Sequence, residues 1–311
     1  NDSTPAIEGV AEAGSTVTLF VDGETTGVTA TADGTTGAYT IAPTESLSDG
    51  AYALTVTATD AAGNISDASD ALSITIDATA PGKPSIITTT SLTNDATPTI
   101  EGIAEAGSTV ELFNGNDSLG TTTADGTTGA YTITPAELSD GAYALTVTAT
   151  DAAGNISAAS SALNLTVDTT APTQPAITTT TTLTTDATPT IEGTAEADST
   201  VTLLSSGVAI ATTTANGDGQ FSITTSTLAD SNYVLTVTAT DAAGNISAAS
   251  TALNLTVDTT APAQPSITTT TSLTNDSTPA IEGVAEAGST VTLFVDGVTT
   301  GVTTTADGTT G

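Results

Sequence analysis

The stretch GAYALTVTATDAAGN, residues 141–155, carries the two patterns that decide the fold. From Tyr143 to Ala149 every second residue is apolar, so one face of an extended strand is apolar and the other carries mainly threonine. The closing pentapeptide DAAGN occurs three times, at residues 60–64, 151–155 and 241–245. The copies start 91 and 90 residues apart (60 to 151, then 151 to 241), and a repeat of this length predicts a tandem array of small domains.

Turn signals divide each repeat into seven short strands. In the second repeat the predicted strands are residues 84–92, 97–105, 109–113, 119–124, 130–134, 142–150 and 161–167. The Gly-rich run 125–129 predicts a hairpin loop between the fourth and fifth strands. A tyrosine stands at the start of each sixth strand, where a tyrosine corner lies in Greek-key sandwiches: Tyr52, Tyr143 and Tyr233. The chain is therefore predicted to be all-β, a tandem array of seven-stranded immunoglobulin-like β-sandwich domains.

The linkers between repeats set the predicted domain limits. Each linker follows an Asp and carries two prolines three residues apart, such as Pro81 and Pro84, which favours an extended and semi-rigid connector. The predicted domains are a repeat lacking its first strand, two complete repeats, and the N-terminal part of a further repeat: residues 1–77, 78–168, 169–258 and 259–311.

Both ends of the chain fall inside a repeat, which predicts a segment of a longer protein with its targeting signals elsewhere. Residues 1–37 nearly duplicate residues 275–311. Two alternatives follow for the incomplete ends. They pair between molecules, or they are completed by neighbouring repeats of the longer array.

Composition excludes many classes of function. The chain has 35 Asp and Glu against the single basic residue Lys83, for a net charge of −34, so it would repel nucleic acid and anionic membranes. No segment is apolar enough to insert into a membrane. Without His or Cys there is no Ser-His-Asp or Cys-His pair and no ordinary zinc site, and without Arg there is no phosphate clamp. A carboxylate pair for glycoside hydrolysis is formally possible, but no aromatic-lined cleft is expected, so we predict no enzyme activity.

Oxygen ligands remain, and they favour Ca²⁺, which takes six to eight of them. The Asp that closes one repeat should meet the loop acids of the next. The predicted ligands fall into sets, one at each junction between repeats: Asp77 with Glu105, Asp125, Asp151 and Asn155; Asp168 with Glu196, Asp198, Asp241 and Asn245; and Asp258 with Glu286 and Asp307. Asp60 is the predicted ligand in the first repeat. Asp95 and Asp140 are predicted at the opposite end of the second repeat, where they face Asp168. The alternative is that these residues only form turns and keep their charges solvated.

Four phrases in fixed order carry a resemblance to a known family. They are TPTIEG at 97–102, AEAGSTV at 104–110, LTVTATDAAGN at 145–155 and VDTTAP at 167–172. They resemble the bacterial immunoglobulin-like extender repeats of giant, type I-secreted, RTX-type surface adhesins. The resemblance implies an extracellular stalk on a bacterial surface, retained there through other regions of the parent protein. It also implies Ca²⁺ at and near the domain junctions, where the ion stiffens the stalk.

The sequence thus predicts a non-catalytic extender that becomes rigid in Ca²⁺ and supports attachment and biofilm formation. Its expected partners are the neighbouring repeats and Ca²⁺, in a monomeric rod. A directly adhesive module, homophilic like cadherins or glycan-binding, is the alternative. Ice or mineral binding through threonine rows such as residues 178–182 is a special case of that alternative.

Overall fold

The computed structural model describes residues 1–311 and contains strands, turns and loops but no helix. Two compact units are distinguished, Asn1–Thr170 with Ala242–Asn245, and Ala171–Asp241 with Ile246–Gly311. The strands of residues 1–170 are β1 (Ile7–Val10), β2 (Thr16–Val21), β3 (Glu24–Thr31), β4 (Ala38–Ile41), β5 (Gly50–Thr59), β6 (Leu72–Ile76), β7 (Ser85–Ile86), β8 (Leu92–Thr93), β9 (Ile100–Ile103), β10 (Thr109–Asn114), β11 (Asp117–Thr123), β12 (Ala130–Ile133), β13 (Gly141–Thr150) and β14 (Leu163–Val167).

The remaining strands repeat this order. They are β15 (Ala176–Ile177), β16 (Leu183–Thr184), β17 (Thr190–Thr194), β18 (Thr200–Ser205), β19 (Val208–Thr214), β20 (Gln220–Thr224), β21 (Ser231–Thr240), β22 (Leu253–Val257), β23 (Ser266–Ile267), β24 (Gly283–Val284), β25 (Thr290–Val295) and β26 (Val298–Thr305).

The second and third repeats are sandwiches of two sheets. In the second repeat the sheet orders are β12-β9-β7 and β11-β10-β13-β14-β8, and the third repeat has the same arrangement in β15 to β22. All pairings are antiparallel except those of β8 with β14 and of β16 with β22. The predicted all-β tandem immunoglobulin-like array is confirmed.

The core of each sandwich follows the alternation seen in the sequence. In β13, Leu145, Val147 and Ala149 are fully buried, while the threonines between them are partly exposed. Leu145 and Val147 pack with Ile100 and Leu165, so both sheets contribute to one apolar core. The three predicted tyrosine corners are also present, because each hydroxyl donates to the carbonyl four residues upstream: Tyr52 to Ser48, Tyr143 to Ser139 and Tyr233 to Ala229.

The first predicted strand, residues 84–92, is wrong as a single element. It is two short strands, because β7 pairs with β9 in one sheet and β8 pairs with β14 in the other. The amides of Ile87 and Thr88 both donate to the Glu101 carbonyl, which ends the ladder and lets the chain cross to the second sheet. A complete repeat therefore has eight strands rather than seven.

The predicted hairpin at residues 125–129 is also wrong. β11 and β12 belong to different sheets, so this loop carries the chain from one sheet to the other. The loop is closed by Asp125, whose carboxylate accepts the amides of Thr127 and Thr128 at 3.0 and 2.7 Å. Turn residues therefore mark the loop correctly, but they do not distinguish a hairpin from a crossover.

Gly102 allows β7 to lie close to the middle strand of its sheet. A Cβ atom at this position would lie 2.0 Å from the Ser85 carbonyl oxygen and 2.2 Å from the Tyr131 hydroxyl. The Tyr131 hydroxyl donates to that same carbonyl at 2.8 Å, and burial raises the pKa of Tyr131 to about 12. Gly193 has the same close approach to the Ala176 carbonyl in the third repeat.

The two outer repeats contain fewer strands. The first repeat has the sheets β1-β4 and β3-β2-β5-β6, and the last has the pairs β23-β24 and β25-β26. Apolar side chains in the last repeat are exposed, including Phe294 at 58% and Val298 at 68%. The exact domain limits stay a prediction.

Candidate functional site

The DAAGN segments, which we call the junction loops, are built around an Asp–Asn pair. In the second repeat the Asp151 carboxylate accepts the backbone amide and the side-chain amide of Asn155, both at 2.8 Å. Asp60 and Asn64 form the same two bonds in the first repeat, at 2.9 and 2.8 Å. These bonds within the loop fix the position of the Asp151 carboxylate. The hydrogen bonds from Asn155 also lower the pKa of Asp151 below its ordinary value.

The asparagine of the junction loop also holds the linker that precedes its repeat. Asn155 Nδ2 donates to the Asp77 carbonyl at 2.9 Å, and Asn155 is buried, with 8% exposure. Asn64 has no such partner and is exposed. Within the first unit, Asn245 Nδ2 repeats this bond to the Asp168 carbonyl at 2.6 Å. The Asp before each of these two linkers therefore contacts the junction loop through its backbone carbonyl oxygen.

A second contact on the junction loop was not foreseen from the sequence. The terminal amine of Asn1 donates to the Ala153 carbonyl at 3.1 Å, and Asn1 Nδ2 donates to the Gly154 carbonyl at 3.0 Å. Asn94, which occupies the same place in the second repeat, has its Nδ2 3.6 Å from the point where a Cβ on Gly244 would lie. The dipeptide Asn-Asp recurs at residues 1–2 and 94–95, and this recurrence is the sequence feature that indicates the contact.

At its other end each repeat binds the linker that follows. Asp140 Oδ1 accepts the amide of Thr169 at 2.8 Å, and Asp140 Oδ2 accepts the Thr170 hydroxyl at 2.6 Å. The Thr170 hydroxyl, followed by the Thr169 amide, lowers the pKa of Asp140. Asp49 and Asp230 make equivalent contacts with the linkers of their own repeats. Of these three acids, only Asp140 is among the ligands predicted from the sequence.

The lowered pKa of Asp140 predicts how this linker responds to acid. A carboxyl with a depressed folded pKa stabilises the folded state above its ordinary pKa of about 3.9, and that contribution disappears as the pH falls through the lower folded value. We expect carboxyl-carbon NMR to place the titration of Asp140 below about 3.9, with the Thr169 amide signal shifting over the same range. Thr170→Val, which removes the leading bond, should raise the pKa of Asp140. A wild-type titration at or above about 3.9 would contradict this assignment.

The other predicted ligands lie mostly in local turns. The carboxylates of Asp95, Asp125 and Asp258 each accept a hydrogen bond from the backbone amide two residues later in the chain, which belongs to Thr97, Thr127 and Thr260 respectively. Glu105 and Glu196 use their backbone carbonyls, which accept the hydroxyls of Ser108 and Ser199. Asp198 stands at φ +62° where the other repeats have glycine, and Asp241 is half-buried at the start of its junction loop. Glu286 reaches a linker, accepting the Ala263 amide at 3.1 Å.

The arrangement of the predicted ligands can be compared with the oxygen coordination that a calcium ion requires. No group of three or more acidic side chains is placed to hold a metal. At Asp77 the Asn155 Nδ2 atom brings together two oxygens, the Asp77 carbonyl and Asp151 Oδ2, by donating to both. They are of the kinds that Ca²⁺ takes but fewer than its six to eight ligands. The fit is therefore partial, and Ca²⁺ binding stays a prediction.

The arrangement shows what the site can do. The second junction loop presents two backbone carbonyls to Asn1, and the second and third loops each present an asparagine amide to the preceding linker. These groups bind by hydrogen bonds rather than by covalent chemistry. No helix in the structure has the length and apolar character needed to cross a membrane.

Two bacterial proteins are similar in sequence to parts of this chain. Exoglucanase B of Cellulomonas fimi is 39% identical over 145 residues, covering 40% of this chain and 13% of that protein. Chitinase A1 of Niallia circulans is 34% identical over 151 residues, covering 45% of this chain and 19% of that protein. The chain thus spans less than a fifth of the length of either relative.

Among solved structures, the fibronectin(III)-like modules of Clostridium thermocellum CbhA align with 55% of this chain and 92% of their own, at 19% identity and a TM-score of 0.38. The BSP domain of a biofilm associated protein aligns with 70% of this chain and 44% of its own, at 17% identity and a TM-score of 0.25. A family model described as a bacterial Ig-like domain matches residues 1–78, 85–169 and 173–259. Because these three matches cover most of its residues, the chain belongs to the bacterial Ig-like domain family.

Proposed function

We propose that this chain is a structural spacer that extends other domains of a bacterial surface adhesin away from the cell. The observation that carries the proposal is the bond from the junction-loop asparagine to the preceding linker, made by Asn155 to Asp77 and again by Asn245 to Asp168. A contact that recurs in successive repeats serves to fix the spacing and orientation of neighbouring domains, which otherwise move freely. Attachment and biofilm formation would follow from the domains that the spacer carries.

Several features support a spacer without catalysis in an extracellular setting. The chain has no His or Cys and one basic residue, and its acids accept hydrogen bonds in their own turns. The resemblance to secreted RTX-type adhesin repeats supports an extracellular place on the cell surface. The net charge of −34 keeps such a chain soluble and away from anionic membranes.

We further propose that Ca²⁺ stiffens the spacer at the junctions. The Asp77 carbonyl and the Asp151 carboxylate would hold the ion, with the Asn155 amide turned to present its oxygen and water supplying the missing ligands. Bound there, Ca²⁺ would neutralise the Asp151 carboxylate, reduce the repulsion between it and the charge of Asp77, and join the linker to the junction loop. A site with so few protein ligands suits the weak affinity of extracellular modules, about 10⁻⁴ to 10⁻³ M.

Thermal unfolding with and without calcium tests this proposal. A ligand that binds only the folded state at about a hundredfold excess over its Kd adds about 2.7 kcal/mol per site. For a Kd of about 10⁻⁴ M that excess is about 10 mM, so the melting temperature should rise as Ca²⁺ is increased to about 10 mM. Asp77→Asn should reduce that rise, because it removes a charge from the linker. Mg²⁺ at the same ionic strength is the control for screening. Equal melting curves in Ca²⁺ and EDTA would reject calcium binding and leave the spacer proposal standing.

A second candidate is a spacer within a polysaccharide-degrading enzyme, which the names of the exoglucanase and chitinase relatives favour. Both candidates predict that the chain itself binds no polymer. Beads coated with the chain should neither aggregate nor retain soluble glycans, and the chain should not sediment with cellulose or chitin. Bead aggregation or glycan capture would instead support the directly adhesive alternative and contradict a pure spacer.

A further inference from the structure

A cleft in the second repeat takes part in none of the junction contacts. Its volume is about 420 Å³, within the range of about 300–1,000 Å³ that is usual for small-molecule sites, and it lies between β7 and the start of β14. This repeat contains all eight strands, so the cleft belongs to a complete sandwich. The side chains that matter for binding are those of Lys83, Pro84, Ile86, Thr88, Ser161 and Leu163.

Lys83 is the only basic side chain of the chain, and it lies at this cleft without a partner. It is exposed, none of the 35 acidic side chains lies within ion-pair distance of it, and it donates no hydrogen bond. A lysine ammonium has three N–H donors and no acceptor, so it binds anions. Lys83 therefore gives the cleft an unused anion-binding group.

Two hydroxyl groups in the cleft can also donate to a ligand. Thr88 Oγ1 accepts the Glu101 amide at 2.8 Å, and because a hydroxyl both accepts and donates, its proton remains available. The Ser161 hydroxyl forms no hydrogen bond within the chain. An ammonium and a hydroxyl together suit a carboxylate, whose two oxygens both accept.

The rest of the cleft is an apolar wall. Pro84 is buried, while Ile86 and Leu163 are only partly buried where they pack against the core. An apolar group bound here would remove more of these two side chains from water, which favours a complex. The cleft therefore suits a ligand with one charged end and one apolar end.

The third repeat does not present the same groups. Gln174 occupies the position of Lys83, and its side-chain amide donates to the Ala249 carbonyl. Leu253, the equivalent of Leu163, is 9% exposed and belongs to the buried core. Since the third repeat folds without a free ammonium and a partly open apolar wall, these features of the second repeat are not required by the fold.

The charge of the whole chain restricts the ligand. A net charge of −34 repels anions at long range, and the repulsion grows with each charge that the ligand carries. Phosphates and polyanions are disfavoured for this reason. A single carboxylate is the anion that this chain repels least.

We propose that this cleft binds a monocarboxylate that carries a small apolar group. The carboxylate accepts hydrogen bonds from Lys83 and from the Thr88 or Ser161 hydroxyl, and the apolar group covers Ile86 and Leu163. The required chemistry is that of a free short-chain acid or of the carboxyl terminus of a peptide that ends in leucine. The site is separate from the junctions and does not depend on the spacer role.

Amide NMR of the full chain tests the ligand class with two probes, isocaproate and a short neutral peptide ending in leucine. At least one of them should shift the amide signals of Ile86, Thr88 and Leu163 in a saturable way. Isocaproamide and the peptide with an amidated carboxyl terminus are the matched controls, and each should bind about tenfold more weakly than its acid, which corresponds to about 1.4 kcal/mol. Binding of isocaproate would assign a free acid, and binding of the peptide alone would assign a chain terminus.

Two substitutions test the role of the charge. Lys83→Gln introduces the residue that the third repeat has at position 174, so it should leave the amide spectrum of β13 unchanged while weakening binding of the acid about tenfold. Lys83→Arg keeps the charge and should keep most of the affinity. Binding to the unmodified chain should also weaken at about 1 M salt, where charges are screened beyond about 3 Å.

Three results would overturn the proposal. The first is the absence of saturable shifts with both acids. The second is equal binding of the acids and their amides, and the third is unchanged binding of the acid by Lys83→Gln.

Discussion

Gly102→Ala should release β7 from its sheet and destabilise the second repeat by about 3 kcal/mol. The added methyl would lie 2.0 Å from the Ser85 carbonyl, a backbone atom that moves only if the strand moves. It would also displace the Tyr131 hydroxyl from that carbonyl, leaving the hydroxyl of the buried Tyr131 without its acceptor. Hydrogen exchange should show the loss most clearly at the Ile87 amide, which donates to Glu101 at 2.8 Å.

Gly126→Ala is the matched control in the same repeat. A Cβ there would meet nothing within 4 Å, and Gly126 has no positive φ. Its effect should stay within about 0.5 kcal/mol. If Gly102→Ala kept the wild-type protection of Ile87, the close packing of β7 on β9 described above would be wrong.

Asn155→Ala should weaken the attachment of the linker 78–84 to the second junction loop by about 2 kcal/mol. The substitution removes the donor to the Asp77 carbonyl and one of the donors to the Asp151 carboxylate, and the side chain that is lost is itself buried. We expect faster proteolysis within the linker 78–84, while the hydrogen exchange of β13 stays slow.

Asn64→Ala provides the control, since Asn64 makes the same bonds to Asp60 but contacts no linker and is exposed. It should leave cleavage at 78–84 unchanged. Equal proteolysis of the two variants would mean that the asparagine supports only its own loop and does not secure the junction.

The strands were predictable where a single residue period decides the structure. The alternation from Tyr143 to Ala149 was enough to assign β13 and its buried face. The break between β7 and β8 was not, because the threonines between them favour a strand in either sheet and the crossover depends on a shared acceptor, Glu101. Turn composition likewise could not distinguish a crossover from a hairpin at 125–129.

The candidate site was predictable in its location more than in its chemistry. Repetition pointed to the junction loops and to the linker Asp, and the structure brings Asn155 to Asp77. Repetition could not reveal that the backbone of Asp77 would be the partner of Asn155. Every residue has a backbone carbonyl, so the sequence does not indicate which carbonyl accepts the bond. The contact of Asn1 depends on which loop lies beside it, and no local pattern encodes that.

We propose that the junction loops of the second and third repeats hold the preceding linkers in one arrangement, so that the chain acts as a spacer. Spin labels on Thr25→Cys and Thr121→Cys, both exposed on edge strands, would report the distance between the first and second repeats. Double electron–electron resonance should find one narrow distance distribution in the wild-type background and a broad one with Asn155→Ala. A distribution equally broad in both backgrounds would show freely jointed repeats and contradict the spacer account.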